Sequence, residues 1–375
     1  MTDTIWQTTA VGNLIKLQND KSRQIKSIDY EKSGRFPIVD QGRPLIGGYT
    51  SDESKKYIKG LPVIIFGDHT LHSKFINFDF AAGADGTQII VPANESTNIR
   101  YLYYLILMAA QRIGSEGYKR HLKILKEFVI TYNTNLVEQV KIADILTSVD
   151  DTIEHTQTQV AKLQDLKTAT MNDLLTKGIG HTEFRESELG LIPTTWQVVR
   201  VGEVTESIVP GRNKPTSLSG EIPWITISDL SNREVWKSRE NFGVDPDVLQ
   251  DCGGKAVPKD SVILSVVGEF SKSSIAKSQI VINQQLHAFV CSDALNNYYL
   301  SYFINISEPQ LHRLATKTTI AYLNKENVES LLISLPPLGE QEKIADILTS
   351  LDDQIESVEL KLVQLESLKK SLMGD

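Results

Sequence analysis

The clearest metal-ligand spacing in the chain is Asp-His-Thr-Leu-His, where His69 and His72 lie three positions apart. A zinc site needs further ligands, and no cysteine or additional histidine is close in sequence. The two cysteines, Cys252 and Cys291, are far apart and form no CxxC pattern. We therefore expect no metal site, and we interpret both cysteines as idle thiols of a cytoplasmic protein.

Motifs that would indicate catalysis are missing from the sequence. It has no GxxxxGK(S/T) phosphate loop, no GxGxxG after a strand and no Asp/Asn-Pro-Pro-Tyr/Phe motif of the amino-methyltransferases. Glu53-Ser-Lys55 lacks the Pro-Asp that precedes such a pair in nucleases, and nothing near Ser273 is placed to activate it. This absence favours a binding protein, and we expect no catalytic residue and no bound cofactor.

Cationic and amide side chains on loops between short strands suit a nucleic-acid surface. Lys and Arg hold phosphates, while Arg, Gln and Asn can pair with base edges. The candidate DNA-binding residues are Gln41, Arg43, His69, Lys74, Tyr118, Lys119, Arg120 and Lys123, followed by Arg212, Asn213, Lys214, Lys272, Lys277, Lys317, Thr318 and Thr319. Each residue alone is also compatible with an ordinary solvated surface. The clusters 118–123 and 317–319 are stronger candidates, because each precedes a repeated segment by a similar distance.

The repeated segment is the element that must position these candidates. Residues 136–173 and 338–375 match at a constant offset of 202 positions, with an unbroken KIADILTS in both copies. Apolar residues in each copy alternate four and three positions apart, which is the heptad seam of a paired helix. The helix-pairing residues are Ile142, Leu146, Val149, Ile153, Val160 and Leu163 in the first copy, and Ile344, Leu348, Leu351, Ile355, Val358, Leu362 and Leu365 in the second.

Two similar apolar stripes in one chain suggest that the helices bury each other. Thr156 interrupts the first stripe, so we expect a weaker seam there. The alternative is two separate surface helices, each on its own domain. Asn135 with Glu138 predicts an N-cap and capping box, and Lys177 followed by Gly178 predicts the far end of the first helix.

Short β-rich runs punctuated by glycine precede each helix, in a frame that also occurs twice. Trp6-Gln7 matches Trp196-Gln197, and the apolar run that ends at Gly67 matches the run that ends at Gly268. The sequence therefore predicts an α+β chain in four parts. These are a first β-rich globular domain (1–134), a long helix (135–180), a linker with a second β-rich domain (181–335) and a second long helix (336–375).

Composition is consistent with a globular protein of this kind. The 375 residues are 41% hydrophobic and 23% charged, with a net charge of −8. The two helical segments carry the whole negative excess, so the remainder is neutral on average and can still present a basic face. No run of eighteen apolar residues and no signal-peptide pattern occurs, so we expect no membrane association.

Two stretches resemble a known family. Residues 336–348, PPLGEQEKIADIL, with Leu351-Asp-Asp-Gln-Ile355, resemble the conserved helical region of specificity subunits of type I restriction-modification systems. Leu191-Ile-Pro-Thr-Thr-Trp196 resembles the family's entry to its second target-recognition domain. The resemblance covers the repeated segments and the linker in motif, and the globular parts only in their frame.

The resemblance implies a non-catalytic subunit in which two target-recognition domains each read half of an asymmetric, bipartite DNA site. The two long helices would pack as an antiparallel coiled coil and hold the domains apart. Implied partners are double-stranded DNA, methyltransferase subunits that bind S-adenosylmethionine, and restriction subunits that use ATP and Mg²⁺. Two alternatives stay open. A coiled-coil scaffold presenting two non-DNA ligand-binding domains would show no salt-dependent DNA binding, and a stand-alone nuclease would cleave DNA by itself.

Overall fold

The computed structural model describes residues 5–84, 86–114, 120–211, 213–230, 233–270, 272–316 and 321–374. Contacts divide the chain into unit 1, residues 1–157 and 361–375, and unit 2, residues 158–360. Each unit therefore contains a stretch of both repeated segments. None of the helices in the described ranges combines the length and apolar character that crossing a bilayer requires.

Unit 1 consists of short strands and helices that precede the first long helix. Its strands are β1 (Trp6–Ala10), β2 (Ile15–Leu17), β3 (Phe36–Val39), β4 (Gly48–Thr50), β5 (Val63–Gly67), β6 (Ser73–Ile76), β7 (Ala81–Ala82), β8 (Thr87–Pro92) and β9 (Val129–Asn133). Its helices are α1 (Ile99–Ile113), α2 (Leu122–Glu127), the start of α3 (Leu136–Lys177) and the part of the second long helix from residue 361 onward. The strands pair in the orders β2-β8-β5-β6, β4-β3-β7 and β1-β9.

The core of unit 1 lies between α1 and the sheet that contains β5. Strand β5 is an unbroken apolar run and is buried along its whole length, as a short apolar run between turns predicts. Leu102 and Leu105 of α1 join Ile64 and Ile90 in one apolar cluster. Helix α1 begins where the Asn98 side chain accepts a hydrogen bond from a backbone N–H of the first turn.

Unit 2 contains the second β-rich part. Its strands are β10 (Phe184–Ser187), β11 (Gly190–Pro193), β12 (Gln197–Arg200), β13 (Thr205–Ile208), β14 (Ile222–Ile225), β15 (Glu234–Val235), β16 (Gly243–Val244), β17 (Val262–Ser265), β18 (Ser273–Ala276), β19 (Val281–Ile282), β20 (Leu286–Cys291) and β21 (Leu332–Leu335). Its helices are α4 (Pro246–Asp251), α5 (Asn297–Ile306), α6 (Glu308–Leu314), α7 (Lys325–Glu329) and most of α8 (Leu338–Leu372).

The strand orders of unit 1 recur in unit 2, with one additional strand, β15, at the edge of the largest sheet. They are β13-β20-β17-β18-β15, β16-β14-β19 and β12-β21. The register recurs as well, because Val63 pairs with Ile76 and Val262 pairs with Ile275. The predicted α+β class, with β-rich globular parts and two long helices, is confirmed. The linker is more ordered than its polar sequence suggested, because β10 and β11 form a hairpin.

The ends of α3 follow the sequence signals in part. The Asn135 side chain accepts hydrogen bonds from the N–H groups of Val137 and Glu138 at 2.9 and 3.3 Å, so Asn135 is the N-cap. The capping box does not form, because Glu138 accepts from the Asn133 side chain instead. Gly178 follows α3 with φ +69°, the left-handed conformation that glycine adopts freely at helix ends.

The residues of both predicted seams lie on the less exposed faces of α3 and α8. Leu146, Ile344, Leu348 and Ile355 are buried, and the remaining seam residues are half-buried. Thr156 is 3% exposed, and its hydroxyl donates to a carbonyl one turn earlier. The helix therefore satisfies the polar group that interrupts the first stripe.

Contacts inside unit 2 show that α3 and α8 run in opposite directions there. The Gln164 side chain donates to Glu359 at 3.3 Å, and three residues later Lys167 lies 2.6 Å from Asp352. Residue numbers therefore rise along α3 as they fall along α8.

A buried glutamine ties each long helix to its globular part. Gln139 is 0% exposed, accepts from the backbone N–H of Asn98 at 2.7 Å, and donates to two backbone carbonyls. Gln341 repeats the arrangement in unit 2 with Asn296, Ala294 and Pro336. A buried amide that is fully paired stabilises one arrangement strongly, because any other arrangement leaves it unpaired.

A tyrosine, an aspartate and a lysine meet in each unit. In unit 1 the Tyr104 hydroxyl donates to Asp150 at 2.9 Å, and Lys369 lies 2.6 Å from the same carboxylate. In unit 2 the corresponding residues are Tyr302, Asp352 and Lys167, with both distances 2.6 Å. Burial raises the pKa of both tyrosine hydroxyls, so they remain donors. Each triad joins a globular part, one long helix and the other long helix.

Replacing Asp150 by Asn should lower the free energy of unfolding by about 1–2 kcal/mol, because a charge-assisted hydrogen bond and a partly buried ion pair weaken together. Asp151→Asn is the matched control, since Asp151 is exposed and has no ion pair among the described residues. Urea denaturation measures both variants. Equal stability of the two would show that the triad does not hold the helices.

Candidate nucleic-acid interface

Strand register brings several loops of unit 1 to one edge of its main sheet. Leu17, the last residue of β2, pairs with Ile90, and Gly67, the last residue of β5, pairs with Thr87 at the start of β8. The loop after β2, the turn after β5 and the turn before β8 therefore lie together, and residues 120–121 join them. The first cleft, about 890 Å³, is lined by Asn19, Lys21, Gln24, Lys26, Asp68, His69, Ala84, Gly86, Thr87, Gln88 and Arg120.

Asp68 holds this edge together. Its N–H donates to Gly86 O at 2.8 Å, its carbonyl accepts from His121 N at 2.7 Å, and its carboxylate accepts from Leu122 N at 2.7 Å. Asp68 is only 6% exposed. Among the described residues that line the first cleft, Asp68 is the one acidic side chain, and its carboxylate is hydrogen-bonded to the backbone.

The cations of the first cleft are available to a ligand. Lys21, Lys26 and Arg120 are exposed and form no ion pair with any described residue. The amides beside them are oriented by the fold. Asn19 donates to Gln88 at 2.6 Å, and Gln24 donates to the Thr87 carbonyl at 3.2 Å. Free cations beside oriented amides can hold phosphates and pair with base edges.

A close backbone approach shapes the floor of the first cleft. Gly86 has φ +86°, and a side chain there would place its Cβ 2.5 Å from Gln41 Oε1 and 2.7 Å from His69 Cδ2. Gln41 in turn accepts from the backbone N–H of His69 at 3.2 Å. Glycine is required at this turn, because it leaves room for the Gln41 and His69 side chains to lie against the backbone beside the cleft.

The corresponding loops of unit 2 meet at the matching edge. Ile208, which ends β13, pairs with Ala288, and Ser265, which ends β17, pairs with Leu286. Gln284, in the turn before β20, donates to the Gly211 carbonyl in the loop after β13 at 3.0 Å. We call the described residues 209–211, 213–221, 266–270, 272 and 283–285 the second loop edge. Asn213 and Lys214 are exposed on it, without an ion pair among the described residues.

The structure brings only some of the predicted DNA-binding residues to these two edges. His69 and Arg120 line the first cleft, and Gln41 supports it. Arg43 and Lys123 are exposed outside the lining. Tyr118, Lys119, Arg212, Lys317, Thr318 and Thr319 lie outside the described residues.

Three predicted lysines have partners within the protein. Lys74 is 7% exposed, and its ammonium donates to the carbonyls of Asp40 and Pro44 at 2.8 and 2.6 Å. Burial lowers the pKa of Lys74. Lys272, on the second loop edge, pairs with Glu269 at 2.6 Å. Lys277 comes directly after β18, at the end of that strand away from the second loop edge. Its ammonium donates to the Tyr298 hydroxyl at 3.2 Å.

The sequence interpretation missed several residues of the first cleft: Asn19, Lys21, Gln24, Lys26 and Gln88. The repeated frame contained the signal for most of them. Asn213 and Lys214 are predicted DNA-binding residues in the loop after β13, and the loop after β2 occupies the same place in unit 1. Residues 18–24 of that loop are all polar or charged, which marks the same edge.

Nothing in the described ranges suggests a metal centre. No group of three or more His, Cys, Asp or Glu side chains is arranged there to hold an ion.

The architecture itself defines a class of protein. It is a duplicated α+β protein in which each β-rich part presents a loop edge and is fixed to a long helix. The family model described as the type I restriction modification DNA specificity domain matches residues 4–165 and 193–367. The chain belongs to this family, as the resemblance in its helices and linker predicted.

The chain is also similar to specificity subunits of type I restriction enzymes. The chain is 23% identical over 364 residues to the specificity subunit of the type I restriction enzyme EcoR124I/EcoR124II of Escherichia coli, covering 93% of this chain and 87% of that one. It is 29% identical over 249 residues to the putative MjaX specificity subunit of Methanocaldococcus jannaschii. That second match covers 64% of this chain and 56% of the relative, little more than half its length.

Solved structures share the fold. A crystal structure of a type I restriction-modification S subunit from M. genitalium aligns over 100% of this chain and 96% of its own, with a TM-score of 0.65 and 13% identity. A structure from a study of complex assembly in a type I system aligns over 98% of this chain and 96% of its own, with a TM-score of 0.55 and 16% identity. At these identities the comparison concerns the fold alone.

Gly86→Ala should weaken binding to double-stranded DNA by about tenfold or more, because the new Cβ displaces Gln41 and His69 from the first cleft. Gly60→Ala is the matched control. Gly60 also has positive φ, at +99°, but a Cβ there meets nothing within 4 Å. Both variants should lose about 1 kcal/mol of stability, so fluorescence anisotropy with labelled duplex separates cleft geometry from backbone strain. Equal affinities would contradict the role of the cleft.

Proposed function

We propose that this chain is the sequence-specific DNA-binding subunit of a type I restriction-modification complex. Unpaired Lys21, Lys26 and Arg120 beside oriented amides carry the proposal, because no acidic group competes with phosphate for these cations within the described residues. Membership of the family supports the same function. The matching topology of the second loop edge supports a second DNA-reading surface in unit 2.

Each unit reads one half of a bipartite, asymmetric site. The two loop edges have one topology but different side chains. The first offers Lys21, Gln24 and Lys26 in the loop after β2, while the second offers Asn213 and Lys214 in the loop after β13. Unlike side chains on a shared frame read unlike base sequences, because bidentate pairing depends on the chemical groups presented.

The long helices set the spacing of the two half-sites and dock the methyltransferase subunits. Helices α3 and α8 are 42 and 35 residues long, which corresponds to about 63 and 53 Å at ~1.5 Å per residue. Both helices are continuous. A continuous helix of this length suits a spacer between two reading surfaces.

Catalysis belongs to the partner subunits. Methyltransferase subunits supply bound S-adenosylmethionine, and restriction subunits use ATP and Mg²⁺. This chain supplies the recognition of the target sequence and holds no cofactor itself.

Neutralising Lys21, Lys26 and Arg120 to Gln tests the first cleft. DNA affinity should fall, and the slope of log affinity against log salt should flatten by about one unit for each phosphate that the variant no longer neutralises. Lys162→Gln is the control, since Lys162 is exposed on α3 without an ion pair among the described residues. The duplex is first selected from a randomised pool with the wild-type chain.

If the salt dependence of the triple variant were the same as that of the wild type, DNA would not bind in the first cleft. Wild-type protein that shows no salt-dependent binding to duplex DNA would favour the scaffold alternative, in which the domains hold another ligand.

The isolated chain should neither methylate nor cut DNA, because catalysis is assigned to the partners. Incubation of pure protein with duplex DNA, Mg²⁺, ATP and labelled S-adenosylmethionine measures both reactions. Metal-dependent cleavage by the pure chain would support the nuclease alternative and overturn the assignment.

A further inference from the structure

The main chain holds the amide of Asn19, which lines the first cleft, in one orientation. Its Oδ1 accepts from the backbone N–H of Ile89 at 2.7 Å, and its Nδ2 donates to Gln88 Oε1 at 2.6 Å. A backbone N–H can only donate, so the oxygen of the Asn19 amide must face Ile89. Its nitrogen therefore faces Gln88.

The Asn19 amide in turn fixes the amide of Gln88. An amide nitrogen is a donor only, so the atom of Gln88 that meets it must be the oxygen. The two N–H groups of Gln88 Nε2 have no hydrogen-bond partner among the described residues. Gln88 is half-buried and lines the first cleft. It therefore offers a ligand two donors, while its oxygen is turned to Asn19.

An amide held in this way disfavours the usual base partner of glutamine. Glutamine pairs with adenine in the major groove by accepting from N6 and donating to N7, which requires a free oxygen. Guanine presents two neighbouring acceptors there, O6 and N7, and cytosine presents a donor. Two donors with no free oxygen therefore favour guanine over the other three bases.

The second loop edge has no amide pair in this place. Counted from the pairing of β2 with β8 and of β13 with β20, Pro210 stands where unit 1 has Asn19, and Leu286 stands where it has Gln88. Leu286 is only 1% exposed. Any base preference that arises from the amide pair should therefore be confined to one half-site.

We propose that Gln88 is a specificity-determining residue that binds guanine in the half-site read by unit 1. Asn19 is its positioning residue, because it dictates which groups of Gln88 face the DNA. This assignment rests on the proposed function, under which the first cleft contacts the bases of duplex DNA. It adds the base that one side chain selects and the hydrogen bonds that cause the selection.

Asn19→Asp should change the selected base while Gln88 stays in place. One carboxylate oxygen can still accept from Ile89, but the other now accepts where the amide nitrogen donated. Gln88 must then rotate its amide and donate one N–H to residue 19. Its oxygen and its second N–H are left for the DNA, and these two groups match adenine N6 and N7.

The experiment measures the base preference of the full chain. Duplexes are selected from a randomised pool with wild type and with each variant, and sequencing identifies the guanine position that Gln88→Leu no longer selects. Fluorescence anisotropy then compares four duplexes that differ only there. Wild type should bind the guanine duplex about tenfold more tightly than the adenine duplex. Gln88→Leu should bind both alike, and Asn19→Asp should favour adenine.

A modified base tests the acceptor atom directly. A duplex with 7-deazaguanine at the same position lacks the N7 acceptor. Wild type should bind it about fivefold or more weakly than the guanine duplex, because one of the two acceptors is missing. Gln88→Leu should bind both duplexes equally.

Two controls make the same chemical changes outside the first cleft. Gln111→Leu and Asn172→Asp alter exposed residues of α1 and α3, and both should keep the wild-type ratio of affinities. The ratio also cancels any general loss that the added charge of Asn19→Asp causes. Leucine occupies the Gln88 position in unit 2, so Gln88→Leu suits the strand. Circular dichroism reports whether each variant is folded.

Selection of one sequence by wild type and folded Gln88→Leu, with the same salt-dependent affinity, would overturn the proposal and leave the proposed function standing. A guanine preference retained by folded Asn19→Asp would also overturn it. If Asn19→Asp does not fold, equal binding of guanine and 7-deazaguanine by wild type decides against Gln88 as the guanine reader. Wild type without salt-dependent binding to duplex DNA would overturn the proposed function itself.

Discussion

Everything that the chain presents to a ligand depends on how each β-rich part is fixed to a long helix. A buried amide makes that connection in both units. Gln139 and Gln341 are fully enclosed, and each bonds both the start of the neighbouring globular helix and the segment that leads into its own long helix. An unpaired amide in this setting is costly, so the junction has one favoured geometry. The loop edges can then vary without changing their orientation on the helix.

Strand register fixes the positions of the loops, as the buried amide fixes the position of each β-rich part on its helix. In both units the central sheet places the ends of two strands beside the start of a third, so three connections share one edge. That placement needs only the backbone pairing, which explains how the loop sequences can differ while the edge persists. Gly86 is an exception, since its conformation and lack of a side chain are needed for the shape of the first cleft.

The sequence patterns that predicted structure correctly depend mostly on residues near one another in sequence. They include the helical character of the two repeated segments, the N-cap at Asn135 and the glycine after α3. The capping box failed because Asn133, two positions before the N-cap, competes for the Glu138 carboxylate. The residues of the cleft depend on distant contacts. The charge of Lys74 predicts a DNA contact, but the backbone carbonyls of Asp40 and Pro44, which are distant in sequence, bind its ammonium. Lys21 and Lys26 resemble other surface lysines, and only the repeated frame or the register of β2 with β8 marks them as residues of the cleft.

The triads have a consequence for symmetry. Asp150 and Lys167 lie on one helix and Asp352 and Lys369 on the other, yet each aspartate bonds the lysine of the opposite helix. Each half of the chain therefore carries one tyrosine, one aspartate and one lysine, and completes its triad with a lysine from the other half. Two copies of either half could complete two triads by the same exchange. Joining two unlike halves in one chain keeps both triads and allows the two sets of loops to differ.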